Sequence, residues 1–258
     1  MIECRTCSKK TTRKIFSTKL LKQNIDYFEC LQCGYVQTVN PTWLEEAYVS
    51  TMHAHDTGVM IRNSSNISLV LATLIVMGSR NKKIVDYAGG YGLLVRSLRD
   101  LGIDALWKDP YCENLVARGF EYKSTDKASL VTTFEVFEHF VSPAEEMDKI
   151  LKIAPNILIT TNIIADPAPK PEDWWYYGLD HGQHIGFFRL KTFKYLANKF
   201  GLYFISDGVS RHLFSKKKIS FKLWITIVKL SKFIPRLLSI GLKSKTWDDH
   251  LLMEKNQR

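Results

Sequence analysis

The stretch IVDYAGGYG at residues 84–92, followed by LLVRSL at 93–98, decides the fold of this chain. It predicts a short apolar strand that ends near an acid, a glycine-rich turn, and a helix with one apolar face. The glycines let the backbone pass close beneath a ligand, because no Cβ stands in the way. Asp109 follows 17 residues after Gly92, at the end of a second apolar segment, where its carboxylate could bind the two hydroxyls of a ribose. Together these features predict a nucleoside-binding pocket.

The spacing of the glycines separates two kinds of nucleoside site. A dinucleotide fold uses G-x-G-x-x-G to seat a pyrophosphate on a helix N-terminus, and this turn lacks the last of those glycines. The turn instead resembles the first motif of class I S-adenosylmethionine (SAM) methyltransferases, an acid followed by three alternating glycines. Asp86, Gly90 and Gly92 match that motif, and Ala88 stands where the family has its first glycine. The resemblance implies that SAM is the cofactor, bound through these four residues and Asp109.

Two further segments resemble the same family in the same order. LVTTFEVFEHF at residues 130–140 predicts a fourth strand that runs into a Glu-His turn. In the family an acid, here Glu135, and a Glu-His pair close the floor of the SAM site at this point. NILITT at residues 156–161 predicts a fifth strand. The resemblance spans residues 82–207 and identifies the cofactor better than the methyl acceptor.

Predicted strands and helices alternate through the body of the chain, which favours a largely parallel sheet with helices on both faces. The predicted strands are 84–88, 104–108, 130–134, 156–161 and 202–207, and the predicted helices are 93–101, 112–119, 144–152 and 190–200. The resemblance implies a Rossmann-like, doubly wound α/β fold. Ligands of such sheets bind beyond the carboxyl ends of the strands, where Asp86, Asp109 and Glu135 are predicted to lie.

Four of the five cysteines form two C-x2-C pairs, Cys4 with Cys7 and Cys30 with Cys33. Each pair can present two thiolates from one tight turn, and two pairs complete a tetrahedral site for zinc. Because four protein ligands leave no open position, the zinc is predicted to be structural and to stabilise a segment too small to hold its own core. Cys112 is predicted to be a thiol outside this site.

The length of 258 residues allows one large domain with a small appendage. We expect a zinc-ribbon appendage at 1–40, a helical lead-in or lid at 41–80, a SAM-binding core at 81–210 and a basic extension at 211–258. This plan resembles that of bacterial zinc-ribbon methyltransferases that act on sugars and surface glycans. Within the lead-in, Arg62 or the adjacent asparagine could reach the carboxylate of SAM or the substrate, and the alternative is a role on the helix surface.

A base is needed if the methyl acceptor is a hydroxyl or a carbon acid, and histidine suits that task with an unperturbed pKa of about 6.5. The candidates are His139 in the Glu-His turn and His181 and His184 in the segment DHGQH, and for each the alternative is a structural role. His53 and His55 could also approach the acceptor, but no motif supports them.

Aromatic residues precede the second histidine segment, at Trp174, Trp175 and Tyr177. They predict a wall on which the apolar face of a sugar ring could stack while its hydroxyls meet polar groups. No second cluster with metal-ligand spacing is evident, so a magnesium-dependent mechanism of the catechol type is not favoured.

The leading interpretation is a SAM-dependent methyltransferase that acts on a sugar hydroxyl, in a nucleotide- or phosphate-linked sugar or in a capsule or lipopolysaccharide glycan. C-methylation of a nucleotide-linked keto sugar is one alternative, because the segment CLQCGYVQ at 30–37 resembles the knuckles of sugar C-methyltransferases. An RNA methyltransferase is another alternative, although the chain lacks an Asn/Asp-Pro-Pro-aromatic motif after the fourth strand. A SAM-binding scaffold without catalysis is a third.

The net charge of +10 is unevenly distributed. Residues 211–245 carry ten Lys and Arg and no Asp or Glu, so the rest of the chain is balanced. Apolar residues alternate with lysines in 221–234, which predicts either a basic amphipathic helix on an anionic membrane surface or a face that packs on the core or on a second subunit. The longest apolar run, 69–77, is shorter than a membrane span needs, and no signal-peptide pattern is evident. We expect a cytoplasmic protein, with peripheral contact at the inner membrane surface as an option, and nucleic acid as an improbable partner.

Overall fold

The computed structural model describes residues 2–48, 57–231 and 238–256. The chain divides into two compact units, and each unit is assembled from separate segments. The first comprises Met1–His53, Phe134–Lys149 and Ile159–Lys217, and the second comprises Ala54–Thr133, Ile150–Leu158 and Lys218–Arg258. The consecutive domains predicted from the sequence are a different division of the chain.

A four-stranded antiparallel sheet forms part of the first unit. Its strands, in spatial order, are β1 (Thr12–Leu20), β2 (Gln23–Cys30), β3 (Val36–Thr38) and β8 (Gly186–Phe187). Along β2 the buried side chains alternate with more exposed ones, which is the period of two that a half-buried strand requires. An apolar cluster lies against this sheet and includes Tyr27, Trp43, Tyr176, Tyr177 and Phe187. The predicted ribbon therefore lies in a sheet that also includes residues far along the chain.

The larger sheet has six strands, which in chain order are β4 (Lys83–Tyr87), β5 (Ala105–Lys108), β6 (Ala128–Phe134), β7 (Ile157–Thr160), β9 (Tyr203–Ser206) and β10 (Arg211–Ser215). Their spatial order is β5-β4-β6-β7-β10-β9. β4 pairs parallel with both β5 and β6, whereas β9 and β10 pair antiparallel. The apolar runs of the inner strands are fully buried, as in sheets covered on both faces. The α/β fold with a mostly parallel sheet is confirmed.

The helices in the described part of the chain are α1 (Leu44–Ala47), α2 (Val59–Val76), α3 (Leu93–Asp100), α4 (Pro143–Ile153), α5 (Leu190–Phe200), α6 (Phe221–Ser231) and α7 (Thr246–Asn256). Three of the four predicted helices, 93–101, 144–152 and 190–200, form within one residue of their expected bounds. The predicted helix at 112–119 is wrong, because this segment forms bends and turns. Its amides bond elsewhere: Leu115 and Val116 donate to the carbonyl of Tyr91, and Ala117 donates to the Asn114 side chain. Hydrogen bonds to a side chain and to a loop carbonyl thus take the place of the i→i−4 backbone hydrogen bonds of a helix.

The beginning of the predicted basic extension belongs to the sheet, since β10 starts at residue 211. Beyond it, α6 packs on α2, and the indole nitrogen of Trp224 donates to the Thr73 hydroxyl at 3.2 Å. The buried Arg99 guanidinium of α3 donates two hydrogen bonds, of 2.8 and 2.7 Å, to the Asp249 carboxylate of α7. Lys and apolar residues at 232–234 lie outside the described residues.

One helix in the described part of the chain, α2, has the length and apolar composition of a membrane span. In the structure 44% of it is buried, and Leu69–Leu74 are among its buried residues. Buried core helices also have this length and composition, so this is weak evidence for a span.

Candidate functional site

The turn after β4 is called the glycine loop (residues 88–92), and it has left-handed backbone at three positions. The φ angles are +58° at Ala88, +54° at Gly90 and +88° at Gly92. A Cβ built on Gly90 would meet nothing within 4 Å, whereas one on Gly92 would lie 2.7 Å from the Asn114 side-chain oxygen. Gly90 therefore leaves open space in which a ligand can approach the backbone, and Gly92 permits close packing within the protein.

Asp109 directly follows β5, and its carboxylate ties that strand end to the glycine loop. Oδ2 accepts the Gly90 amide at 3.0 Å, and Oδ1 accepts the amides of Tyr111 and Cys112 at 2.8 and 3.0 Å. A carboxylate has about four lone-pair positions, so one acceptor position remains for a ligand hydroxyl. The structure thus places Asp109 beside the loop, as predicted for a ribose-binding acid.

Asp86 lies within β4 and is almost completely buried. Burial raises its pKa to about 7, and the negative charge of Asp109 adds to this effect. The Thr132 hydroxyl donates to Asp86 Oδ1 at 2.6 Å and partly offsets the shift. A buried carboxyl with this pKa is well suited to a ligand that brings a positive charge or hydroxyl donors.

Arg62 lies exposed in the first turn of α2. The neighbouring Asn63 amide donates to the Ser97 hydroxyl of α3 at 3.3 Å. A role of Arg62 in binding the carboxylate of SAM stays a prediction. His53 and His55, which were weaker candidates near this helix, lie outside the described residues.

Glu135 follows β6 and has a left-handed φ of +54° although it is not glycine. Its amide donates to the Thr160 carbonyl at 2.9 Å, and its Oε2 lies 3.0 Å from the Tyr176 hydroxyl. The same hydroxyl lies 2.5 Å from Oε1 of Glu138. The acid predicted to bind the cofactor is thus joined through Tyr176 to the Glu-His turn.

Two of the predicted histidines meet at this point. The rings of His139 and His184 lie 4.9 Å apart, and ligand atoms of Glu138, His139 and His184 all lie within 4.8 Å of one another. We call Glu135, Glu138, His139, Tyr176 and His184 the Glu-His cluster. The sequence indicated no second metal-ligand cluster, and the structure corrects this because the chain returns to the turn 45 residues later.

Hydrogen bonds fix the orientation of both imidazoles. His184 Nδ1 lies 2.6 Å from the Tyr176 carbonyl, which can only accept, so Nδ1 carries the proton and Nε2 presents a lone pair. His139 Nδ1 lies 2.6 Å from the Tyr48 hydroxyl. Burial lowers the pKa of His184 to about 4 and lowers that of His139 well below its usual range. Both imidazoles are therefore neutral at pH 7.

His181 has a different environment, although its ring lies 4.8 Å from that of His184. Its Nδ1 accepts the Gln183 amide at 3.1 Å, so the lone pair of that nitrogen is already used. In the neutral ring the other nitrogen then carries the proton. Of the three predicted bases, His184 has the orientation that best suits proton removal.

The aromatic residues predicted to bind a sugar do not form one wall. Tyr177 is fully buried, stacks edge-on against Tyr27 and Phe187, and donates its hydroxyl to the Pro169 carbonyl at 2.8 Å. It therefore belongs to the apolar core and is not available to a sugar. Trp174 is half-buried against the same core, whereas Trp175 is 80% exposed. Trp175 alone of these three is available to a large ligand.

Tyr176 is the residue that sequence reasoning missed. It stands between two aromatic residues that were singled out, and its hydroxyl joins both acids of the cluster while its carbonyl orients His184. The only signal for it was its position in the run WWYY, which cannot distinguish a core tyrosine from a polar partner.

The four cysteines of the two C-x2-C pairs meet as predicted, and all are buried. Sγ of Cys4 lies 3.6 Å from that of Cys33, and Sγ of Cys7 lies 3.5 Å from that of Cys30. A tetrahedron with zinc–sulfur bonds of about 2.3 Å has edges of about 3.8 Å, so the sulfurs fit a zinc ion. Cys112 lies outside this group.

Comparison with known proteins gives one family. A family model described as a methyltransferase domain matches residues 62–207, more than half of the chain. No curated protein matches the sequence significantly.

Solved structures with similarity to this chain include an O-methyltransferase family protein from Burkholderia thailandensis, with 16% identity and a TM-score of 0.48 over 68% of each chain. Magnesium protoporphyrin IX methyltransferase from Synechocystis with bound SAH has 10% identity and a TM-score of 0.45, over 66% of this chain and 90% of that one. Human N-acetylserotonin methyltransferase in complex with SAM has 15% identity and a TM-score of 0.39, over 68% of this chain and 66% of that one.

Proposed function

The chain belongs to the methyltransferase domain family, and we propose that this SAM-dependent enzyme methylates a hydroxyl group of a sugar. In that reaction the acceptor oxygen forms a bond to the methyl carbon while the bond from that carbon to sulfur breaks. The products are the methyl ether, S-adenosylhomocysteine and the proton of the hydroxyl.

The glycine loop and Asp109 fit the donor. SAM supplies a methyl group that its sulfonium has already activated. The open space over Gly90 leaves room for the nucleoside against the backbone, and Asp109 offers its remaining acceptor position to a ribose hydroxyl. Asp86 contributes a buried carboxyl that a cationic ligand would hold in its charged form.

The orientation of His184 is the observation that carries the assignment to a hydroxyl acceptor. Its Nδ1 proton is fixed on the Tyr176 carbonyl, so Nε2 presents a lone pair that can take a proton from a hydroxyl. Its low pKa keeps the imidazole neutral, but it also makes the imidazole a weak base. We therefore expect the Glu-His cluster as a whole, including His139, to polarise the acceptor.

Support for a sugar comes from Trp175 and from the resemblance of the chain plan to zinc-ribbon sugar methyltransferases. The Trp175 ring is 80% exposed and lies edge-on to the Tyr176 ring at 5.4 Å. An exposed indole beside polar side chains can stack on the apolar face of a pyranose while the polar groups meet its hydroxyls. The proposed acceptors are nucleotide- or phosphate-linked sugars and surface glycans.

C-methylation of a nucleotide-linked keto sugar is the second candidate, because it also needs a base beside the acceptor. The two differ in their acceptor, since only O-methylation proceeds on a sugar that lacks a carbonyl group. An RNA acceptor stays a third hypothesis, for which the basic segment 211–245 is the support.

A screen with isotope-labelled SAM tests the proposal. The zinc-loaded protein is incubated with nucleotide sugars, sugar phosphates, keto-sugar analogues and RNA, and mass spectrometry detects the transfer of one labelled methyl group. We expect transfer to oxygen of a sugar. Transfer to RNA alone, or to carbon alone, would contradict the proposed acceptor.

A matched pair of variants then tests the role of the histidine. We expect His184→Ala to lower turnover by about 100-fold or more while SAM affinity stays within about threefold. His250→Ala removes an exposed histidine of α7 and should leave both unchanged. Near-normal turnover of His184→Ala would eliminate this residue as a proton acceptor.

A further inference from the structure

The Glu-His cluster offers a set of ligands that methyl transfer by itself does not require. One carboxylate and two imidazoles, from Glu138, His139 and His184, hold ligand atoms within 4.8 Å of one another. We infer that these three side chains bind one divalent transition-metal ion, separate from the zinc at the cysteines. A modest closure of the side chains would bring their atoms to the metal–ligand distances of about 2.0–2.2 Å found in such sites.

The carboxylate of Glu138 is independent support for a cation bound at this cluster. The residue is completely buried, and its Oε1 faces the Tyr176 hydroxyl. Its Oε2 is also buried and has no hydrogen-bond partner among the residues that the structure describes. Leaving a buried acceptor without a partner is destabilising, and more so when it is charged, so such atoms are rare unless a ligand uses them.

The charges around the cluster also favour a bound cation. Glu135 and Glu138 approach one Tyr176 hydroxyl, which has a single proton to donate. Neither carboxylate forms an ion pair with a Lys or Arg in the described part of the chain. A divalent cation would supply the positive charge that this pocket lacks.

Both imidazoles have the second hydrogen bond that is typical of metal-bound histidines. His184 donates from Nδ1 to the Tyr176 carbonyl, which leaves Nε2 as the ligand atom. His139 Nδ1 lies at hydrogen-bond distance from the Tyr48 hydroxyl, and donation to that oxygen leaves Nε2 as the ligand atom in the same way. These partners orient the rings before a metal arrives, which lowers the entropy lost on binding.

The donor set indicates which metals fit. Imidazole nitrogen suits iron, nickel, copper and zinc better than magnesium or calcium, which prefer oxygen ligands, and the carboxylate of Glu138 is a ligand that manganese also accepts. Three protein ligands leave open positions, as in catalytic rather than structural sites.

The role of such a metal rests on the proposed function. An acceptor hydroxyl bound at an open position would become more acidic and could lose its proton to solvent water. With the metal bound, Nε2 of His184 would be a ligand rather than the proton acceptor, and the metal would take over the activation of the hydroxyl that the proposed function assigns to the Glu-His cluster.

Metal titration of the whole protein tests the inference without any acceptor. The protein is first loaded with one zinc per chain at the cysteines, because thiolates hold zinc far more tightly than manganese. Mn²⁺ is then titrated and the free ion is followed by electron paramagnetic resonance, with Co²⁺ absorption as a second probe. We expect about one additional ion per chain.

Two variants locate the site. Glu138→Gln keeps the shape of the side chain and can still accept from Tyr176, and His184→Ala removes one imidazole. Each should weaken Mn²⁺ binding at least tenfold while zinc content stays unchanged. His250→Ala is the control and should bind Mn²⁺ like the unaltered protein.

The possible outcomes separate this inference from the proposed function. If neither Mn²⁺ nor Co²⁺ binds the zinc-loaded protein, or if both variants bind like the control, the metal site is overturned whatever the activity. If the metal binds but no hydroxyl acceptor is methylated, the site stands and the proposed function falls. Methyl transfer that requires added Mn²⁺ would support both.

Discussion

Asp86 shows how one residue can be placed at a cost to stability. Its carboxyl is buried at the base of the glycine loop, with the Thr132 hydroxyl as its hydrogen-bond donor. Burial disfavours the charged form, and the pKa rises to about 7. The sequence predicted an acid at this strand end, but it could not reveal the shift, because the shift depends on what the folded chain packs around the carboxyl.

The raised pKa gives a testable dependence of stability on pH. Between about pH 4 and pH 7 the folded state keeps a proton on Asp86 that the unfolded state has lost, so the free energy of unfolding falls as the pH rises. We expect Asp86→Asn to remove this loss and to raise the free energy of unfolding by about 1–4 kcal/mol at pH 8, with little effect at pH 3.5. Denaturant unfolding at both pH values measures it.

The exposed Asp173 provides the control, because Asp173→Asn should change the free energy of unfolding by less than about 0.5 kcal/mol at either pH. Equal stabilisation of Asp86→Asn at both pH values would show that the carboxyl is not shifted as described.

Ala88 is the one departure from the family motif, and the structure shows its consequence. Its φ of +58° lies in the left-handed region, which glycine adopts freely and alanine does not. We expect Ala88→Gly to raise the free energy of unfolding by about 0.5–1 kcal/mol. Ala72→Gly, in the interior of α2, should lower it by about 1 kcal/mol or more. Destabilisation by Ala88→Gly would contradict the account of this turn.

At the scale of elements, the paired cysteines were predictable and their sheet was not. Two C-x2-C pairs define a four-sulfur site by spacing alone. By contrast, β8 joins the same sheet from residues 186–187, because its pairing with β3 depends on contacts far apart in sequence. The failed helix at 112–119 has a similar cause, since the Tyr91 carbonyl takes the amides of Leu115 and Val116.

Metal analysis tests the zinc site through a matched pair of cysteine variants. We expect about one zinc per chain in the unaltered protein and in Cys112→Ser, because that thiol lies outside the cluster. Cys30→Ser removes a ligand and should lower both the zinc content and the melting temperature. Full zinc content in Cys30→Ser, or none in the unaltered protein, would remove the site.

At the scale of the whole molecule, the order of motifs along the chain predicted the fold class and the cofactor. The acids at the strand ends lie where parallel strands place them, because β4 pairs with β5 and β6 in one direction. The Glu-His cluster could not be predicted in full. It combines residues 135–139 with 176 and 184, and only folding determines which of these side chains meet.

The distribution of charge over the molecule gives a separate prediction. Trp224 and Val228 of α6 are buried, whereas Phe221, Leu223 and Leu230 are exposed on a segment rich in lysine. We propose that the exposed apolar residues and lysines of α6 contact anionic membranes from the cytoplasmic side. Co-sedimentation with anionic vesicles at low salt should be strong and should be lost at high salt. Equal binding to neutral vesicles, or none at low salt, would contradict it.

Calorimetric titration of SAM into the whole protein tests the central claim most directly. The account predicts about one SAM per chain. Its affinity should be at least tenfold weaker in Asp109→Ala, because that variant removes both the acceptor for a ribose hydroxyl and the carboxylate that ties Gly90 to β5. Asp109→Asn keeps one oxygen acceptor, so its SAM affinity should lie between those of the unaltered protein and Asp109→Ala. Absence of SAM binding by the unaltered protein, or equal affinity in Asp109→Ala, would contradict the claim that this glycine loop and Asp109 bind the methyl donor.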